Sequence, residues 1–154
     1  MPLGGIISIL ALLPNIGFML FPPSSIPTEV QEHDRVYRLM EILERVGQIG
    51  SFALPFFYAL KVRAPADWAF LGAMLLTLGF YYAGWLRYFL RGRTFSLLFA
   101  PMARIPLPMA LGPVLYFMAS AFFLHSWYMG AASLLLAIGH LYVSNCELQR
   151  CIHA

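Results

Sequence analysis

The stretch Trp68-Ala69-Phe70-Leu71-Gly72-Ala73-Met74-Leu75-Leu76-Thr77-Leu78-Gly79-Phe80-Tyr81-Tyr82-Ala83-Gly84-Trp85-Leu86-Arg87-Tyr88-Phe89-Leu90 decides the fold class. It carries a single charge, Arg87, placed one turn from its end. An α-helix rises about 1.5 Å per residue, so about 20 such residues cross the roughly 30 Å of bilayer hydrocarbon. This run predicts a membrane-spanning helix. Composition extends the reading to the whole chain: of 154 residues 60% are hydrophobic and 11% charged, against about 45–50% and about 25% in ordinary soluble domains.

Working outward, four more stretches approach the required length. They are Leu3 to Phe21, Val46 to Leu60, Leu107 to Leu124 and Trp127 to Val143. Only His125 and Ser126 separate the last two, which makes them an antiparallel helical hairpin. The expected fold is therefore an all-α integral membrane protein, one transmembrane domain over 1–154 built as a bundle of five transmembrane helices. The alternative is four spans plus a re-entrant segment, with Val46–Leu60, which contains Gly47, Gly50 and Pro55, as the re-entrant piece.

Between the first two spans, Pro22-Pro23-Ser24-Ser25-Ile26-Pro27 breaks the chain. Thr28 and Gln31 then form a capping-box pattern. Val36, Leu39, Leu43 and Val46 recur at helical spacing with Asp34, Arg38, Glu41 and Arg45 on other faces. This predicts a cytoplasmic amphipathic helix over 28–45, lying in the interface, its Glu41 or Glu44 beside Arg87 or Arg91. With five spans, Arg35, Arg38, Arg45, Arg87, Arg91, Arg93, Arg104 and Arg150 fall on one side, and Lys61 and Arg63 on the other. Basic loops stay cytoplasmic, so the N-terminus is expected outside and the C-terminus inside, in a plasma or inner membrane.

Polar groups inside a membrane are costly and mark candidate sites. Asn15 follows Pro14, where it can satisfy a carbonyl freed by the proline. His140 shares a helix face with Ser133 and Ser144. Gly112, Tyr116 and Ser120 share one on the preceding helix. Thr77, Tyr81, Trp85 and Tyr88 form a stripe in which Trp85 and Tyr88 read as membrane-belt anchors. Laid out by helical rise, Asn15, Gln48, Tyr81, Tyr116 and His140 all fall in the cytoplasmic half. The expected ligand-binding set is His140, Tyr116, Tyr81, Ser133 and Asn15, with the two tyrosines as partners of the histidine. The loop over 91–106 mixes arginine with apolar residues and suits an interfacial or re-entrant segment. Arg87, Arg91, Arg93 and Arg104 are the expected ligands for lipid phosphates.

Arg91-Gly92-Arg93-Thr94-Phe95-Ser96, then Pro108-Met109-Ala110-Leu111-Gly112, then a helical hairpin and Glu147-Leu148 together resemble the isoprenylcysteine carboxyl methyltransferase and phospholipid methyltransferase superfamily. That resemblance implies a small helical membrane scaffold with a cytoplasmic-side S-adenosylmethionine site. The superfamily carries Arg-His before the proline, where this chain has Pro106 and Leu107, and a Glu pair where it has Glu147 alone. Shared scaffold is implied; shared chemistry is not. No acidic residue lies in a span, no H-E-x-x-H or G-x-S-x-G occurs, and no internal repeat suggests a transporter. Cys146, Cys151 and His153 lack structural-zinc spacing. The net charge of +3 is too small to argue for nucleic acid, which is not expected as a partner.

The functional expectation is thus non-catalytic, with no cofactor and no metal. It is a multi-pass protein with membrane lipids as partners, possible homo-oligomer formation, and a small amphipathic molecule or lipid bound or passed through a cytoplasmic-half polar pocket. A diverged methyltransferase-like enzyme and a structural subunit of a membrane complex are the alternatives.

Overall fold

The computed structural model describes residues 3–24, 34–102 and 104–153, with residues 152 and 153 described by their backbone alone. Five α-helices carry the fold: α1 (Gly5–Leu20), α2 (Arg35–Ala53), α3 (Asp67–Leu90), α4 (Pro108–Phe123) and α5 (Trp127–His153). Single 3-10 turns, Leu54–Phe57 and Phe95–Leu98, extend α2 and follow α3. Among the described residues there is no β-strand, only an isolated bridge between Met102 and Ile105. Two helices, Asp67–Leu90 and Trp127–Cys151, are long and apolar enough to cross a membrane; Gly5–Leu20 and Pro108–Phe123 are shorter apolar helices.

The helices alternate in direction. α2 runs antiparallel to α5, as Tyr37 meets Glu147, Glu44 meets His140 and Gly50 meets Ala132. α3 runs antiparallel to α4, with Gly112 against Tyr81 and Gly84 against Met109. These pairings gather Arg35, Arg38, Arg87, Arg91 and Arg150 towards one end of the bundle and leave Lys61 and Arg63 at the other. Small residues set the closest approach. A Cβ on Gly47 would collide with the backbone of Leu135 and Leu136, and one on Gly139 with Glu44 N and Met40 O. Gly47 meets the α5 backbone and Gly50 the Ala132 methyl, so these two glycines let α2 lie close on α5.

α2 differs from its sequence reading in two ways. The amphipathic stretch and the following apolar stretch are one unbroken helix, with no turn between Arg45 and Val46. Its polar face also turns inward. Val36, Leu39, Ile42, Val46 and Ile49 are exposed, whereas Gly47 and Ser51 are buried. The Thr28–Gln31 capping box lies outside the described residues; the described helix starts on Asp34, whose carboxylate accepts from Arg35 N at 2.6 Å. The same reversal holds elsewhere: Ile9, Leu13, Met19, Leu76 and Leu90 face out, while Ser8, Ser120, Ser133 and Ser144 are buried.

Proline 14 shows how the interior settles its polar groups. A helical proline leaves the carbonyl four residues earlier without its donor, here Leu10. Tyr82 Oη donates to Leu10 O at 2.7 Å. The sequence reading gave that task to Asn15, whose amide instead makes a long 3.4 Å contact with Ala11 O.

Candidate functional site

Asn15 of α1, Gln48 of α2, Tyr81 of α3, and His140 and Ser144 of α5 line one cavity of about 210 Å³. Four helices contribute a polar group each because the alternating bundle brings their middles to one level. The walls between them mix aromatic side chains, Phe18, Phe52, Trp85, Phe99 and Phe117, with aliphatic ones such as Leu98, Met109 and Leu136. These rings brace one another edge to face, Phe18 with Trp85 at 5.8 Å, Tyr81 with Trp85 at 6.2 Å and Phe52 with Phe117 at 5.0 Å, the arrangement their quadrupoles favour.

Of the five expected ligand-binding residues, His140, Tyr81 and Asn15 come together on this cavity. Tyr116 and Ser133 are not on its lining. The Tyr116 hydroxyl donates to Ile7 O at 3.1 Å and Ser133 Oγ to Met129 O at 2.7 Å; both residues are buried and hold helices.

The partner of His140 also differs from the expectation. Neither tyrosine takes it: Tyr81 Oη donates to Asn15 Oδ1 at 3.3 Å. His140 Nδ1 lies 2.7 Å from Glu44 Oε1, across 96 residues of sequence. Both side chains are largely shielded, 28% and 19% exposed, so the pair sits where ionic contacts are weakly screened. The pairing of Glu41 or Glu44 with Arg87 or Arg91 is not formed. Glu41 binds Arg45 at 2.7 Å within its own helix. One signal could have located Glu44: Tyr37, Met40, Glu44, Gly47 and Ser51 share a helix face opposite the apolar stripe. If lipid surrounds the bundle, that face must turn inward.

Trp85 and Tyr88 are not belt anchors. Trp85 is 7% exposed and Tyr88 fully buried. Trp85 lines the cavity, and its indole N–H makes no complete hydrogen bond, although the Tyr81 hydroxyl is near enough to interact with it. Exposed aromatics near helix ends are instead Trp68, Trp127 and Tyr128.

The arginines divide by role. Arg87 Nη1 donates to Pro101 O at 2.8 Å and Nη2 to Leu97 O at 3.0 Å and Ala100 O at 2.7 Å. Its planar fork thus gathers the 91–106 loop over the end of α3 and brings Leu98 and Phe99 onto the cavity. Arg93 lies 5.8 Å from the Phe21 ring centre. Arg91 and Arg104 are exposed. Glu147, the acidic residue of the superfamily resemblance, accepts from Tyr37 Oη at 3.1 Å and Arg150 Nη1 at 2.6 Å, away from the cavity. Burial and then the Glu147 carboxylate push the Tyr37 phenol up to about 12.

A second histidine pair closes the opposite end. Asp67, with no exposed surface, accepts from Arg63 N at 2.6 Å and Ala64 N at 3.0 Å through Oδ2, and its Oδ1 lies 3.0 Å from His125 Nε2. Neither residue stood out in the sequence, since the contact joins the start of α3 to the α4–α5 turn. No family model matches this chain, and no curated protein or solved structure matches it either.

Proposed function

We propose that this chain is a multi-pass membrane protein that binds a small amphipathic molecule in the cavity between α1, α2, α3, α4 and α5. One observation carries the reading: polar side chains from four separate helices converge on a cavity whose bundle presents apolar residues outward. In water that arrangement is inverted; in lipid it is the one that satisfies polar groups. In this reading all five helices cross. α1 and α4, at about 24 Å by helical rise, are short spans that a locally thinned bilayer accommodates. The paired ends of α2 and α5 project into the cytoplasmic headgroups, where the arginines gather. Exposed Trp68, Trp127 and Tyr128 mark the outer interface. The C-terminus is cytoplasmic.

The test is native mass spectrometry of full-length protein purified in mild detergent from the membranes in which it was made. A discrete adduct of an amphipathic small molecule is expected on the wild type and lost in His140→Ala and Gln48→Leu. Wild-type protein carrying only a statistical ladder of bulk phospholipid, unchanged in both variants, contradicts the reading.

A further inference from the structure

The α4–α5 hairpin carries a second cavity, apart from the one that Asn15, Gln48, Tyr81 and His140 share. It holds about 350 Å³, within the roughly 300–1,000 Å³ typical of ligand pockets. Met118 and Phe122 of α4, His125 and Ser126 of the turn, and Trp127 and Gly130 of α5 are on its lining. Phe122 and Trp127 are 56% and 93% exposed, so the cavity opens on the outer surface of the bundle. Gly130 keeps that opening free, since a Cβ there would meet only the Ala121 methyl, at 4.0 Å. The lining divides along the helix axis: His125 and Ser126 sit at the turn, and apolar Met118 lies nearly two helical turns away down α4.

Little of the polar capacity is left for an occupant. Ser126 Oγ donates to Tyr58 Oη at 2.7 Å and accepts from Met129 N at 3.2 Å. His125 Nε2 is engaged by Asp67 Oδ1 at 3.0 Å, and Asp67 is itself held by the N–H groups of Arg63 and Ala64. That contact orients the ring and leaves Nδ1, which makes no hydrogen bond among the described residues, on a side chain 42% exposed. Apart from the outward Trp127 indole, this one nitrogen is what the lining offers. No aspartate, glutamate, lysine or arginine lines the cavity, so a charged head finds no opposite charge on its walls. An imidazole with its proton on Nε2 presents a lone pair at Nδ1; every other state of the pair presents an N–H there. A hydroxyl bonds either one, giving its proton to the lone pair or its oxygen to the N–H. The match therefore holds wherever the proton of the pair stands.

We infer that this cavity is a second binding site, for an uncharged single-chain lipid alcohol whose hydroxyl bonds His125 Nδ1 and whose chain runs down past Gly130 and Met118. Its placement at the outer interface rests on the five-span reading above: exposed Trp127 and Tyr128 sit at headgroup level, which puts the hydroxyl among headgroups and the chain in hydrocarbon.

The experiment uses the full chain in nanodiscs with Trp68→Phe and Trp85→Phe, so that Trp127, on the cavity wall, is the only indole. The quenchers are 3-bromododecan-1-ol, 3-bromododecane, which lacks the hydroxyl, and 3-bromododecyl phosphate, compared at equal concentration in the membrane. The alcohol is expected to quench along a saturable curve with a midpoint at least about five-fold below that of the alkane, the span of one hydrogen bond. Gly130→Leu, which fills the cavity from a position the helix packing does not use, is expected to abolish saturation. His125→Asn keeps a residue that tolerates the left-handed backbone here, φ +52°, but draws the polar group back. It is expected to bring the alcohol's midpoint to that of the alkane. Equal midpoints in the parent chain overturn the hydroxyl assignment, and a midpoint unchanged by His125→Asn overturns the role of Nδ1. Tighter binding of the phosphate overturns the uncharged head in favour of an acidic lipid. Quenching that rises linearly with membrane concentration, or saturation unchanged in Gly130→Leu, overturns the site. Because Trp127 reports only on this end, such a result leaves the cavity beside His140 standing.

Discussion

The molecule holds two histidine–carboxylate pairs that look alike on paper and are built for opposite ends. At one end Asp67 is saturated. Two backbone N–H groups and His125 occupy its oxygens, and the contact ties the loop before α3 to the α4–α5 turn, beside the bond from Ser126 Oγ to Tyr58 Oη at 2.7 Å. No carboxylate oxygen there is left over, although His125 itself borders a separate cavity of about 350 Å³ with Phe122, Ser126 and Trp127. At the other end Glu44 takes only one nitrogen of His140, and the ring lines a cavity whose other walls mix aromatic, aliphatic and a few polar side chains. The same two side-chain types thus lock a loop to a turn where backbone donors complete the carboxylate, and serve as a candidate binding group between helices where they do not. Occupancy of hydrogen-bonding capacity separates structure from site more sharply than residue type does.

The largest effect is expected from prising α2 away from α5. Gly139→Leu drives a side chain into the Glu44 and Met40 backbone and should cost about 3 kcal/mol or more, read as a fall in the thermal melting temperature in detergent. Gly130→Ala, at the locked end, meets only the Ala121 methyl at 4.0 Å and should leave the melt unchanged. Equal melting of the two would remove the claim that α2 and α5 meet backbone to backbone. Next in size is the lock itself. Asp67→Ala should lower the melting temperature by several degrees and leave ligand binding beside His140 intact, because it strands two backbone N–H groups far from that cavity. Loss of binding without loss of stability would reverse the comparison.

His140→Ala should behave in the converse way. One interhelical hydrogen bond between membrane helices is worth about 0.6 kcal/mol and up to about 2, so the melt should move little while binding is lost. The smallest effect belongs to Trp85→Phe. Its indole N–H makes no complete hydrogen bond in the fold, only a weak approach to the Tyr81 hydroxyl, so the empty protein should be destabilised by less than about 0.5 kcal/mol, the range of changes that disturb no packing or bonding feature. A larger loss would show that the N–H already has a structural acceptor.

This contrast also explains what could be read from the sequence. The apolar runs gave α3 and α5 directly, and the two-residue link at His125–Ser126 gave the hairpin of α4 with α5, because a run of apolar residues needs no knowledge of its neighbours. The level of Asn15, Gln48, Tyr81 and His140 followed from helical rise alone. Which helix lies beside which did not. Glu44 and His140 meet only because Gly47 and Gly139 let α2 lie on α5, and Asp67 meets His125 only through a turn. Tyr116 and Ser133 look like His140 in sequence, but each finds a backbone carbonyl of its own. Arg87, read as a lipid-phosphate ligand, spends its fork on three loop carbonyls, a task that depends on where residues 97–101 fold back.

The most direct measurement is a fluorescence titration of the chain carrying Trp68→Phe and Trp127→Phe, which leaves Trp85 as the only indole, in nanodiscs with octanophenone, a small amphipathic ketone, as quencher. Occupation of the cavity should quench Trp85 along a saturable curve, and His140→Ala should shift that curve to higher concentration by at least about five-fold. Quenching that rises linearly with the ketone's membrane concentration, identical with and without His140, would mean that the ketone only partitions into lipid and that the cavity is not a binding site.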